Sequence, residues 1–326
     1  MTAAREHVDC AVWVEDARVP LLELMLERPD FHCSHLGGDG PASRSLAGRL
    51  DIPHLDDPRS LIRSESAVKA IMAPETPLDA EVLGAMSDAA SETRRPLLSM
   101  TPRPGLTLQQ LDDPGHHDET RMPPRPMPTF VALAAGRRLI EAAAAFGLPS
   151  SAAVEIGGPP IPGTLGTRLY DALELLAHWF GPPSTIQAVD ARPTTSGDGV
   201  QRRVLALLRY PDGRAATIDV GADGGRPTRS ATLHDEAGRL RFGDGGIDWT
   251  DAEGRQIELE PTSPAGPDHL AWELVETITA AANEVIPPRP VEVTLDLLAT
   301  FETAMLSTRT GEIESVTAVR GMFGRL

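Results

Sequence analysis

Several things are scarce in this sequence, and each scarcity closes off a class of function. There are two cysteines, Cys10 and Cys33. That is too few for a disulfide framework, and both read as small buried apolar residues in a reducing cytosol, not as redox or metal groups. No apolar run approaches the roughly 20 residues that span a bilayer. The opening residues, Met1 to His7, show no basic stretch followed by an apolar one, so no signal peptide and a cytoplasmic location are expected. Positive charge is in deficit: the formal net charge is −17, with acids spread along the chain. That balance disfavours nucleic acid and anionic membranes as partners. Lysine is scarcest of all, because Lys69 is the sole one among 30 basic residues. Arginine is a poor proton donor near neutral pH, so a mechanism that needs a lysine must use Lys69. Gly-x-Ser-x-Gly, Walker A and Cys-x-x-Cys motifs are absent.

What is present reads as two domains, which 326 residues with 41% hydrophobic content can supply with cores. Strand-like runs at Val8 to Val14, Phe31 to Leu36, Ala67 to Ala73 and Pro96 to Met100 alternate with helical patterns at Ala17 to Glu27, Pro58 to Arg63 and Ala80 to Ser91. Alternation of this kind predicts a parallel sheet with crossover helices, an α/β Rossmann-like domain over 1–150. Seven prolines between Thr101 and Thr129 exclude a long helix there. Phe130 to Phe146 reads as a helix stopped by Gly147-Leu148-Pro149. From 151 to 326 the pattern changes. Strands at Ala152 to Ile156, Val204 to Tyr210, Ala215 to Val220, Ser230 to His234, Leu240 to Phe242 and Gln256 to Leu259 accompany helices at Arg168 to Phe180, His269 to Asn283 and Leu295 to Thr308. Pro211-Asp212-Gly213-Arg214 marks a hairpin. This predicts an α+β domain with an open, mainly antiparallel sheet. In Val204 to Leu208 both faces are apolar, so one needs a cover other than helices.

Several segments carry a resemblance. Ala70-Ile71-Met72-Ala73-Pro74, Leu106-Thr107-Leu108, Arg125-Pro126-Met127-Pro128-Thr129-Phe130, Ala145-Phe146-Gly147-Leu148-Pro149 and Leu175 to Pro183 stand in the order of the glucose–fructose oxidoreductase and inositol dehydrogenase (Gfo/Idh/MocA) family. The chain resembles that family over nearly its whole length. The resemblance implies a nicotinamide cofactor, a sugar-like substrate in a cleft between the domains, and association through the open face of the second sheet.

At the positions where the resemblance puts the chemistry, the residues differ. The dinucleotide loop corresponds to Trp13, Val14, Glu15 and Asp16, without a glycine. Glycines there let a pyrophosphate approach the backbone at a helix N-terminus. The tryptophan is expected to block that approach, and Asp16 to cap the helix that follows. Asp39 reads as a turn residue, or as a mimic of the ribose-binding acid. Thr101 stands where the family has a lysine, with Arg103 nearby; Lys69 precedes the third strand, at the wrong end of the sheet. The paired Asp and His correspond to Thr167 and Asp171, so the His is missing, and His178 lies two turns further on. Asp171 and Glu174 with Arg168 read as a solvated helix face. His116-His117-Asp118 reads as a polar loop, and Asp244, Asp248 and Asp251 as a hairpin turn, so no metal is expected.

Two expectations follow. The first is a non-catalytic relative with no cofactor, acting as a homo-oligomer or with an active paralogue. The second is a divergent NAD(P)-dependent oxidoreductase of a sugar-like substrate. The loss of a helix and strand across 101–129 is expected with the first.

Overall fold

The computed structural model describes residues 8–63, 70–73, 85, 92, 97–99, 125–126, 130–132, 134–158, 164–191, 202–222, 228–243, 246–260, 267–282 and 291–323. Its contacts divide the chain into two units, Met1–Pro128 with Ala265–Arg289, and Thr129–Pro264 with Pro290–Leu326.

In the first unit the elements are β1 (Val8–Trp13), α1 (Val19–Leu26), β2 (Phe31–Gly37), α2 (Pro41–Leu50), β3 (His54–Leu55), α3 (Ser60–Arg63), β4 (Ala70–Ala73), β5 (Leu97–Ser99) and β6 (Arg125–Pro126). The six strands lie in the order β3-β2-β1-β4-β5-β6, and every neighbouring pair is parallel. That order reverses direction beside β1, the switch point where ligands of open parallel sheets sit. Strand β1 is almost continuously buried, as a central parallel strand covered on both faces must be. Cys10 and Cys33 face one another across β1 and β2 in this core. Burial pushes both thiols up, Cys33 to about 12, so neither is a nucleophile at neutral pH.

Three features differ from expectation. Helix α2 was not anticipated. Pro41 sets its first turn, Gly40 caps it in an extended conformation, and Asp51 closes it at φ 55°. The final strand is retained, since Arg125 and Pro126 pair in parallel with Leu98 and Ser99. The helix Pro267–Ala282, which the sequence groups with the second domain, packs on α1, and its Leu274, Val275 and Ile278 complete the core around Val12, Leu22 and Met25.

The second unit holds α4 (Ala134–Phe146), preceded by a 3-10 turn at Phe130–Ala132 instead of one continuous helix. There follow β7 (Ser151–Gly157), α5 (Thr164–Phe180), β8 (Thr185–Ala191), β9 (Arg203–Arg209), β10 (Ala215–Gly221), β11 (Thr228–Asp235), β12 (Gly238–Gly243), β13 (Gly246–Asp251) and β14 (Gln256–Glu260). After α6, the Pro267–Ala282 helix of the first unit, come α7 (Val291–Thr310), β15 (Glu314–Ser315) and α8 (Val316–Phe323). Nine strands form one sheet, β14-β13-β12-β11-β7-β10-β9-β8-β15, parallel between β7 and β10 and otherwise antiparallel. Alternate residues, Val154, Ile156, Val204, Ala206, Leu208, Ile218 and Val220, are buried, and α5 packs on β7 and β10 while α7 packs on β8. Each of the valine, leucine and isoleucine side chains among them contributes roughly 1.5–3 kcal/mol. The fold class read from the sequence is the one observed.

The sequence places a boundary near residue 150, which would group α4 with the first domain. In the structure the Phe130 ring packs tilted against Phe242 at 5.3 Å and Phe146 meets Trp249 edge-to-face at 5.6 Å, and these rings tie the segment to the second unit. Asp248 and Asp251 lie on β13, an unexpected strand, and Asp251 accepts from the Glu253 and Arg255 amides in the turn to β14. Among the described residues no helix is long and apolar enough to cross a membrane.

Candidate functional site

The loop after β1 departs from expectation in a way that follows from the loop after β2. Trp13 is 5% exposed and lies against Gly37, where a Cβ would come within 2.6 Å of the ring. The indole is core and does not project over the strand ends. At Gly38 a Cβ would collide with the Val14 carbonyl, and at Gly40 with the Asp16 carboxylate. So three glycines of the second loop receive three residues of the first. Their role is space, because none has a positive φ.

Asp16 was expected to cap the helix that follows it. It reaches sideways instead, and its Oδ1 accepts from the amides of Ala42 at 3.0 Å and Ser43 at 3.2 Å. The carboxylate therefore complements the positive end of α2. The helix after Asp16 begins with a 3-10 turn, Asp16–Arg18, and Pro20 stands in its first turn. Beneath the first turn of α2, Ser43 donates to the Gly40 carbonyl at 3.0 Å, and its Oγ lies 3.3 Å from His54 Nε2. Asp39 is exposed at the carboxyl end of β2.

These residues bear on the dinucleotide that a sheet of this order implies. The carboxyl end of β2 carries an exposed acid, Asp39, which suits ribose hydroxyls. With Trp13 tucked into the core and Asp16 engaged with α2, neither blocks the strand ends. The turn itself presents Val14 and Glu15 where glycines would bring a phosphate closest. The ribose side of the site fits the group.

In the second unit the expected positions Thr167 and Asp171 lie on α5. Asp171 is 8% exposed and Glu174 2%, so the solvated helix face expected there is a buried one. The partner of Asp171 is Arg229 on β11, whose Nη2 donates at 2.9 Å. Arg168 donates instead to the Gly221 carbonyl. Burial raises the Asp171 carboxyl, while Arg229 and the Phe130 amide pull it back down. The Arg229 guanidinium also covers the Phe130 ring at 4.3 Å. The Thr167 hydroxyl oxygen is buried without a hydrogen-bond partner among the described residues. His178 is exposed, and partial desolvation lowers its imidazole.

Thr101, Arg103, Lys69 and His116-His117-Asp118 lie outside the described residues, and Arg125 is placed by its backbone alone, on β6. Among the described residues no group of three or more His, Cys, Asp or Glu is placed to hold a metal. Sequence reasoning missed Arg229, which nothing in the order of residues links to Asp171. It also missed Ser43 and the receiving role of Gly37, Gly38 and Gly40, although a Gly-Gly-x-Gly-Pro run after a strand is a usable signal for a helix start.

No family model matches this sequence, and no curated protein does. Solved structures match closely in shape. GenD2 from gentamicin A biosynthesis, in complex with NAD, is 16% identical with a TM-score of 0.70, over 95% of this chain and 96% of that one. An oxidoreductase from Agrobacterium radiobacter, in complex with NAD+, L-tartaric acid and magnesium, is 12% identical with a TM-score of 0.71, over 96% and 99%. A protein from Sinorhizobium meliloti 1021 described as a candidate myo-inositol dehydrogenase is 14% identical with a TM-score of 0.67, over 95% and 99%. The expectation of no cofactor is corrected by these complexes, because NAD is held by chains that share this fold from end to end. Missing glycines report on one contact of the pyrophosphate, whereas the order of the parallel strands is the one expected of this fold. The likeness establishes that this chain has the fold of NAD-binding oxidoreductases.

Proposed function

We propose that this chain is an NAD(P)-dependent oxidoreductase of a polyhydroxylated, sugar-like substrate, a divergent member of the Gfo/Idh/MocA family. The observation that carries this reading is the intact six-stranded parallel sheet joined to a nine-stranded sheet unit, a plan shared over nearly whole chains with NAD complexes. The L-tartaric acid and myo-inositol named with two of those structures, a dihydroxy diacid and a cyclic polyol, both carry adjacent hydroxyl-bearing carbons, which supports the substrate class. NAD(P), when bound, supplies the hydride acceptor. The chain's own contribution includes Asp39 for ribose hydroxyls and, beside α5, the polar group formed by Thr167 and the Asp171–Arg229 pair. The test is calorimetry with NAD(H) and NADP(H), followed by turnover of polyols. Micromolar binding is expected, and a dinucleotide at 100 times its dissociation constant should add roughly 2.7 kcal/mol of stability. Absence of binding at millimolar cofactor overturns the reading.

A second reading is favoured by the commitment of Asp171 to Arg229. In it the chain is a non-catalytic subunit, with Thr101, Thr167 and Asp171 standing where catalytic groups are replaced. It associates with a copy of itself or an active paralogue through the outer face of the nine-stranded sheet. Leu205 is 40% exposed and Val189 48% on that face, beside a hollow of about 370 Å³ lined by Glu155, Asp219, His234, Arg239 and Arg241. Cofactor binding without turnover, in an oligomer at micromolar concentration, is the result that selects it; a strict monomer removes it.

A further inference from the structure

We propose that Asp16 makes this chain selective for NAD(H) over NADP(H), by holding its carboxylate on the α2 amides beside which a 2′-phosphate would have to sit. The inference rests on the dinucleotide-binding reading above and adds which dinucleotide is taken.

In a parallel sheet of this order the adenine ribose lies at the carboxyl end of the second strand, and the two dinucleotides differ there by a phosphate. Here that end is Gly37-Gly38-Asp39-Gly40, running directly into α2. The first three residues of the helix have no amide to spare. Pro41 lacks an N–H, and the amides of Ala42 and Ser43 both donate to Asp16 Oδ1. Because Gly40 has no Cβ, the carboxylate lies flush on the loop through which a phosphate would come. Asp39 adds an exposed carboxylate at the same strand end. The guanidinium on this turn, Arg44, has its Nη2 on Asp56 at 3.2 Å. Ser43 Oγ is turned inward, to the Gly40 carbonyl and His54. A 2′-phosphate, carrying close to two negative charges, thus meets carboxylates and occupied amides. A 2′-hydroxyl meets acceptors to which it can donate.

The experiment is calorimetry of the full chain with NADH and with NADPH, repeated on Asp16→Asn and Asp16→Ser, with thermal shifts under each ligand as a second readout. Asparagine keeps the shape and removes the charge. Serine removes the charge and shortens the side chain, which frees the α2 amides, so one variant serves if the other fails to fold. The unmodified chain should bind NADH at least about tenfold more tightly than NADPH, a difference of about 1.4 kcal/mol. In the variants that ratio should shrink to within about threefold because NADPH binding tightens. NADPH bound as well as NADH by the unmodified chain overturns the inference while leaving the oxidoreductase reading intact. So does an unchanged ratio in both variants. Binding of neither dinucleotide overturns that reading itself, and this inference with it.

Discussion

Two aspartates, one in each unit, are both held by partners within the chain, and the kind of partner differs. Asp16 is half-buried and accepts from two backbone amides. Asp171 is buried and accepts from a guanidinium and from the Phe130 amide. Asp16 faces neutral amide dipoles at a helix start, where about 1 kcal/mol is at stake. Asp171 has lost its water, and its stability depends on a partner being present. A carboxylate of the first kind can be replaced at the cost of its amide contacts, whereas one of the second kind cannot be replaced without disturbing the core. The two units therefore differ in where they can be adapted: the first at its loop ends, the second at its sheet surface.

The largest effect expected on this contrast is that of Arg229→Ala. It strands the Asp171 carboxylate and uncovers Phe130, and it should cost about 3 kcal/mol at neutral pH, as breaking a buried pair does. Acidity sharpens the test. The folded-state carboxyl of Asp171 is already raised, so the protonated form is favoured by folding. The stability tied to this group is present at low pH and falls as pH rises through the raised value. Removing Arg229 raises it further, so the deficit of the variant should shrink on acidification toward pH about 4, where even a normal aspartate begins to protonate. Urea midpoints at two pH values decide it. A deficit independent of pH would mean that Asp171 is not the group left exposed to the loss.

Next in size comes Gly38→Ala. Its new Cβ meets the Val14 carbonyl, which is backbone, and Ser43, which is fully buried. Neither can step aside, and overpacking of this kind costs about 1–3 kcal/mol. A drop in the thermal midpoint of several degrees is expected; no change would show that the two loops lie further apart.

Much of the architecture was legible because it is written in short-range pattern. Buried β-branched runs, glycine stops and the Pro-Asp-Gly-Arg turn located most strands and the hairpin of β9 and β10. What escaped was set at long range. Helix α2 has a weak apolar stripe, with Leu46 and Ala47 as its buried apolar residues, so periodicity alone passes over it. The return of Pro267–Ala282 to the first unit depends on a partner helix far away in the chain. At the site, the absence of glycine after β1 was plain. Its consequence was not, because the space that glycine provides had moved to Gly37, Gly38 and Gly40. Asp171 was picked out by its place on α5, yet no local signal announces Arg229 as its partner.

The smallest effects concern Asp16, and they are best read as a pair. Asp16→Ala should cost about 1 kcal/mol, the usual loss when a carboxylate cap is removed. Gly40→Ala should cost a similar amount, because the new methyl displaces a side chain, which can move, and not the backbone. Since each change breaks the same contact, the double variant should lose little more than either single one, leaving a coupling of about 0.5–1 kcal/mol. Amide exchange at Ala42 and Ser43 should quicken alike in all three proteins, since the same two donors lose their acceptor. Additive losses would mean that Asp16 stabilises the chain through something other than the α2 amides. A loss as large as that of Arg229→Ala would erase the distinction between the two aspartates, and with it the argument that the first can be replaced without disturbing the core.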